Sequence, residues 1–103
     1  MVDRFYIIKV YKLFRRKAMT GKRIGEVIHF FDRISVAVIQ VTGTLKVGDN
    51  VHILGRGSDY MQEITSMQIE HEPIEVAKKG DEVAIKVTKP VKPQAAVYLL
   101  DEE

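Results

Sequence analysis

No cysteine occurs among the 103 residues of this chain, which excludes disulfides and thiolate metal sites outright. That absence favours a reducing compartment. No apolar run approaches the ~18 residues that a membrane-spanning helix requires. The most hydrophobic stretch near the start, "FYIIKVYKLF", is broken by Lys9 and Lys12, which argues against a secretory leader. A cytoplasmic location is the expectation. A Walker-type phosphate loop is also missing. The nearest candidate, "TGKR" at residues 20–23, has Arg23 where the hydroxyl belongs and Arg16 where the first glycine belongs, so nucleotide hydrolysis is not expected. No serine stands in a G-x-S-x-G context. No two of His29, His52 and His71 stand at i, i+2 or i, i+4 from one another. A metal needs several donors converging on it, so they read as surface or rim histidines, with no metal and no cofactor.

What is present is a small domain with ordinary composition. Its length suffices for one modest core and not for two. Hydrophobic content of 46% with 29% charged residues is globular. The net charge of +2 conceals a division. Residues 1–23 hold Arg4, Lys9, Lys12, Arg15, Arg16, Lys17, Lys22 and Arg23 against Asp3 alone, a net +7, which leaves −5 for residues 24–103. A basic arm on an acidic body implies an anionic partner or an arm docked on its own body. Within the arm Ile7, Val10, Tyr11, Phe14 and Ala18 recur at helical spacing, and Gly21 supplies a stop. The arm is expected to be an amphipathic helix, with a strand over "FYIIKVY" as the alternative because its β-branched residues disfavour helix.

From Ile24 the pattern changes. "IGEVIHFF" and "ISVAVIQV" are rich in β-branched and aromatic residues and are separated by Asp32-Arg33, the signature of a hairpin. "DNVHILG" sets Val51 and Ile53 against Asn50 and His52, a half-buried strand. "DYMQEITSMQIE" places apolar residues at 61, 64, 67 and 69, so its parity slips and a bulge or bend is expected. "EVAIKV" alternates at Val83, Ile85 and Val87, and "AAVYLL" follows Pro90 and Pro93. Six such segments predict an all-β domain over residues 24–103. Their even number favours a closed six-stranded barrel, since closure removes exposed edges.

One pattern occurs twice. "KVGDNVHI" (Lys46–Ile53) and "KKGDEVAI" (Lys78–Ile85) both read K-x-G-D-x-V-x-I and begin 32 residues apart. Glycine permits the positive φ of a tight turn, and the aspartate side chain can accept nearby backbone N–H groups. Gly48, Asp49, Gly80 and Asp81 are therefore expected to be structural turns that fix where the next strand starts.

On these residues, in "VTGTLKVGDNVHILG" and "MQIEHEPIEVAKKGDEVAIKV", the chain resembles the second, β-barrel domain of the translational GTPases. It resembles still more the small barrel at the C-terminus of collagenase-like peptidase-family proteins, several of which are linked to RNA modification. The resemblance runs from about Ile24 to Leu100 and implies a six-stranded closed barrel. In the elongation factors one rim of that barrel helps hold the aminoacylated end of tRNA. The matching stretches are His29 to Arg33, Met67 to His71, and Asp81-Glu82. The turn departs from the family's glycine-rich pattern, with Asp32 and Ile34 around Arg33, and no GTPase domain is present in the sequence.

The candidate binding residues follow from charge and from strand alternation. Phe30 and Phe31 are adjacent, so on a strand one of them faces outward, where a ring beside Arg33 can stack a base. Arg56, in the polar turn "GRGSD", is a candidate anion contact. With Lys9, Lys12, Arg15, Arg16, Lys17, Lys22 and Arg23 of the arm, these residues point to a non-catalytic module that binds RNA or ribonucleoprotein. The alternative is a protein interaction module that docks on a separately encoded enzyme of the collagenase-like peptidase or RNA-modification type.

Overall fold

Alternation of apolar and polar residues decides the architecture, and a computed structural model describes it for residues 21–100. The expected amphipathic arm, with Lys9, Lys12, Arg15, Arg16 and Lys17, lies outside the described residues. Ten strands are described: β1 (Lys22–Phe31), β2 (Val36–Val41), β3 (Leu45–Lys46), β4 (Asn50–Gly55), β5 (Ser58–Glu63), β6 (Met67–Ile69), β7 (Glu72–Ile74), β8 (Val76–Ala77), β9 (Glu82–Lys86) and β10 (Ala96–Leu99). β1 opens at Lys22, so Lys22 and Arg23 belong to the sheet, two residues ahead of the expected boundary.

The long strands bury alternate side chains on one inner face. Val51 and Ile53 of β4, Val83 and Ile85 of β9 with Val87 just beyond it, and Ala37, Ile39 and Val41 of β2 meet Ile24, Val27 and Val97 there. Truncating one of the fully buried aliphatics, such as Ile39, costs about 2–5 kcal/mol because the cavity adds to the lost transfer energy. β1 accommodates a bulge between Val27 and His29, and Ile28 is the extra residue it pushes outward.

The expectation of a closed six-stranded barrel is corrected. One sheet has eight strands in the order β5-β4-β10-β1-β2-β9-β6-β7, and it is open, with β5 and β7 at its edges. β3 and β8 form a separate two-stranded pair. Strands of two or three residues carry no readable periodicity, which is why only the longer segments show in the sequence. The opening lies where the chain bends between β5 and β6, at residues 64–66, the position of the expected parity slip. Across it the Gln62 side chain substitutes for a ladder. Its Nε2 donates to Lys86 O at 2.9 Å, and its Oε1 accepts Thr88 N–H at 3.0 Å. Tyr60, not Met61, turns inward on β5, and Met61 is 63% exposed. At the other edge Pro73 has no N–H to offer a further strand.

The doubled pattern is one hydrogen-bonded device used twice. At the first corner Asp49 Oδ2 accepts Lys46 N–H at 2.9 Å and Asp49 N–H donates to Lys46 O at 3.0 Å. Gly48 N–H donates to Ile64 O, and Ile64 N–H donates to Asp49 O, both at 2.8 Å. At the second, Asp81 Oδ2 accepts Lys78 N–H at 2.8 Å and Asp81 N–H donates to Lys78 O at 2.9 Å. Gly80 N–H and Val41 N–H repeat the exchange, with Val41 O and Asp81 O, at 2.8 Å each. Gly48 has φ of 100° and Gly80 of 95°, a region costly for a residue with Cβ. Each corner thus seats the start of a strand on the end of its antiparallel partner: β4 on β5, and β9 on β2. The short β3–β8 pair joins the two corners, with Leu45 opposite Ala77.

Candidate functional site

The antiparallel registers place three connections at the end of the sheet opposite the two corners. They are the β1–β2 hairpin tip at residues 32–35, the β4–β5 turn at Arg56-Gly57, and the β9–β10 loop at residues 87–95. Positive φ at both Arg56 and Gly57 makes the second a tight two-residue hairpin turn, where the sequence read as a flexible polar stretch. The three are tied together. Val87 N–H donates to Ser35 O at 2.9 Å, and the Lys86 ammonium reaches Ile34 O at 3.4 Å. Tyr60 OH donates to Lys89 O at 3.0 Å, with the Lys89 ammonium 5.5 Å from the Tyr60 ring centroid. Burial raises the Tyr60 phenol above its ordinary value, and the hydrogen bond to Lys89 O opposes this in part.

Four of the residues named from sequence gather at this end: Phe30, Phe31, Arg33 and Arg56. Alternation sorts the phenylalanines as expected, with Phe30 packed against the core and Phe31 46% exposed. The His29 ring lies 4.4 Å from the Phe31 ring, so the outward ring has a lateral support. Ile34 at the tip is 56% exposed, and Ile28 at the bulge is 37% exposed. Arg33 is exposed beside them. The Arg56 guanidinium donates to Gln94 Oε1 at 2.7 Å, which pins the neighbouring loop.

Lys22 and Arg23 sit at the opposite end, where Lys22 pairs with Leu99 and Arg23 forms an ion pair with Glu26 at 3.4 Å. The rim implied by the elongation-factor resemblance is divided in the same way. Residues 29–33 are at the hairpin end, whereas Asp81-Glu82 lies at the corner end beside Gln40 and Val41. The Glu70-His71 turn is at the corner end too, beyond Ile69.

Sequence reasoning missed Lys86, Lys89 and Lys92. With Arg33 and Arg56 they give this end five cations against Asp32 and Asp59. The signal was the three-residue spacing in "KVTKPVKP". Lys89 and Lys92 each precede a proline, which confines them to extended backbone. His52 was also misread. It is only 9% exposed, and its Nε2 lies 2.6 Å from Asp59 Oδ1. Among the described residues no group of three or more His, Asp or Glu side chains is placed to hold a metal ion. No helix among them is long and apolar enough to cross a membrane.

The ten-strand arrangement with its two glycine-aspartate corners defines a translation-factor type of β domain. The family model for elongation factor Tu domain 2 matches residues 36–95, more than half of the chain, and the chain belongs to that family. Over 80 residues it is 41% identical to an uncharacterized protease of Methanocaldococcus jannaschii, covering 77% of this chain and 20% of that protein. It is 30% identical over 81 residues to a collagenase of Porphyromonas gingivalis, covering 77% of this chain and 22% of the collagenase. The chain therefore spans about a fifth of the length of these curated relatives. Among solved structures, the C-terminal domain of a Geobacillus thermoleovorans protein described as a U32 peptidase shares the fold with a TM-score of 0.74 at 20% identity. That match covers 78% of this chain and 93% of the other.

Proposed function

We propose that this chain is a non-catalytic accessory domain that docks on the catalytic body of a collagenase-like peptidase, joined to it or as a separate chain. The observation that carries the reading is the concentration of exposed apolar side chains in one hairpin, with Ile28, Phe31 and Ile34 all outward within seven residues. Large exposed aromatic and aliphatic groups on a supported strand are what a protein interface uses as anchors. Similarity to only a fifth of two larger proteases supplies the partner class. Arg33, Lys86, Lys89 and Lys92 around the hairpin steer it toward an acidic-rimmed surface.

Size-exclusion chromatography tests this with the chain and a collagenase-like catalytic body from the same organism that lacks its own copy of the domain. A co-eluting complex that disappears with Phe31→Asp supports the reading. Separate elution at tens of micromolar, a concentration where even weak domain contacts associate, contradicts it.

RNA is the second reading, favoured by an outward Phe31 ring beside Arg33 and by the three lysines at this end. Its signature is affinity that falls steeply between low and physiological salt. A salt-independent or absent interaction with tRNA and rRNA fragments removes it.

A further inference from the structure

The bulge in β1 places a titratable ring inside the docking hairpin. Val27 faces the core, so in a regular strand His29, two residues on, would face it too. The extra residue Ile28 shifts the register by one, and Ile28 and His29 are both exposed. The bulge thus sets His29 on the outer face beside Phe31, with ring centroids 4.4 Å apart. Its other neighbours on that face are apolar. Val38 is its partner in register on β2, Val36 stands opposite Phe31, and both are half-buried. β2 itself contributes no charge. Charged groups stand a step further off. They are Glu26 along β1, Asp32 and Arg33 at the tip, and Glu82 and Lys86 on β9, on either side of Ala84, which pairs with Val38. On the other side of β1 the β9–β10 loop bonds to Val27 through Gln94 N–H, and its next charge along the chain is Lys92. Among the described residues no carboxylate forms an ion pair with His29.

We infer that His29 sets the pH range over which the hairpin docks: the neutral imidazole is buried with Phe31 against the partner, and the imidazolium opposes docking. The inference rests on the docking proposed for this hairpin and adds its regulation. Ile28, Phe31 and Ile34 are the exposed apolar anchors, and His29 lies between the first two. A partner that covers the anchors therefore takes the imidazole out of water with them. A neutral ring packs there at little cost, whereas a charged one must give up its hydration. Arg33 and Lys86, the cations at the border, add like-charge repulsion and are themselves where an acidic rim would bind. Docking is thus strongest above the ordinary histidine range and weakens as pH falls through it. If the imidazolium form does not dock, affinity falls roughly tenfold between pH ~7.5 and pH ~5.5.

Calorimetric titration into the collagenase-like catalytic body at these two pH values tests this with the parent chain, His29→Phe and His29→Gln. His29→Phe keeps a ring beside Phe31 that cannot be charged, and His29→Gln keeps a neutral polar group there. Between the two pH values the parent should lose roughly tenfold more affinity than either variant. His52 and His71 remain in all three chains, so a response that comes from them or from the catalytic body appears equally in each. An equal pH response in parent and variants, or tighter binding of the parent at the lower pH, overturns the inference and leaves docking standing. No binding by the parent at either pH defeats the docking reading, and the inference falls with it.

Discussion

If the two glycine-aspartate corners are the same device, they should fail in the same way. The sharpest perturbation is Gly48→Ala beside Gly80→Ala. An added Cβ meets no heavy atom within 4 Å at either site, so crowding contributes nothing. What remains is the backbone, held at φ of 100° and 95°, where an L-residue is strained by about 1–2 kcal/mol. The partner perturbation is Asp49→Ala beside Asp81→Ala. Each removes the acceptor of one backbone N–H, at 2.9 Å and 2.8 Å. Both N–H groups are near solvent, so water takes over part of the bond and the cost is about 1 kcal/mol. Asn at either site keeps an acceptor and should recover much of that loss. Urea unfolding reads all six variants, with shifted midpoints and an unchanged slope. A clear cost at one corner with none at the other would refute the equivalence. Alanine variants as stable as the parent would refute the turn argument altogether.

The bridge at the open edge predicts that Gln62→Leu loses about 1–3 kcal/mol, because the Lys86 carbonyl and Thr88 amide are left without their partner. Gln62→Glu, which keeps the acceptor for Thr88, should fall between, and amide exchange at Thr88 checks the assignment. Tyr60→Phe should cost about 1 kcal/mol through the lost bond to Lys89 O. It should also change the alkaline limb. A phenol raised in the folded state keeps its proton after the unfolded state has lost it, so its contribution is intact below pH ~10 and is lost as pH rises through the folded value. Parent and variant midpoints compared from pH 8 to 11 should converge at the alkaline end. Phe31→Asp should leave stability within about 0.5 kcal/mol, since the ring is on the surface, and thermal unfolding checks this.

Much of the fold was legible because long strands advertise their burial. Val83, Ile85 and Val87, or Val51 and Ile53, need only period two and a bounding turn to be placed in the core. The doubled K-x-G-D-x-V-x-I pattern gave the corners, although not the fact that Gly48 and Gly80 also clasp the ends of neighbouring strands. Closure was misjudged because an open edge bridged by one glutamine looks, in sequence, like any polar position on a strand. His52 was misjudged for a related reason. Alternation says which way a side chain points, not what lies over it. At the hairpin end Phe31 and Arg33 were readable from alternation and charge. Lys86, Lys89 and Lys92 were not weighed, because a lysine reads as solvated until the topology shows which loops share an end. Arg56 became a loop pin only when Gln94, 38 residues away, was seen to meet it.

Docking itself is read by calorimetric titration of the chain into a collagenase-like catalytic body from its own organism. Binding should be saturable and one-to-one, and should weaken at least ~30-fold, about 2 kcal/mol, when Phe31 and Ile34 are both changed to Asp. Binding of undiminished strength by that double variant, or no binding by the parent chain, would contradict it.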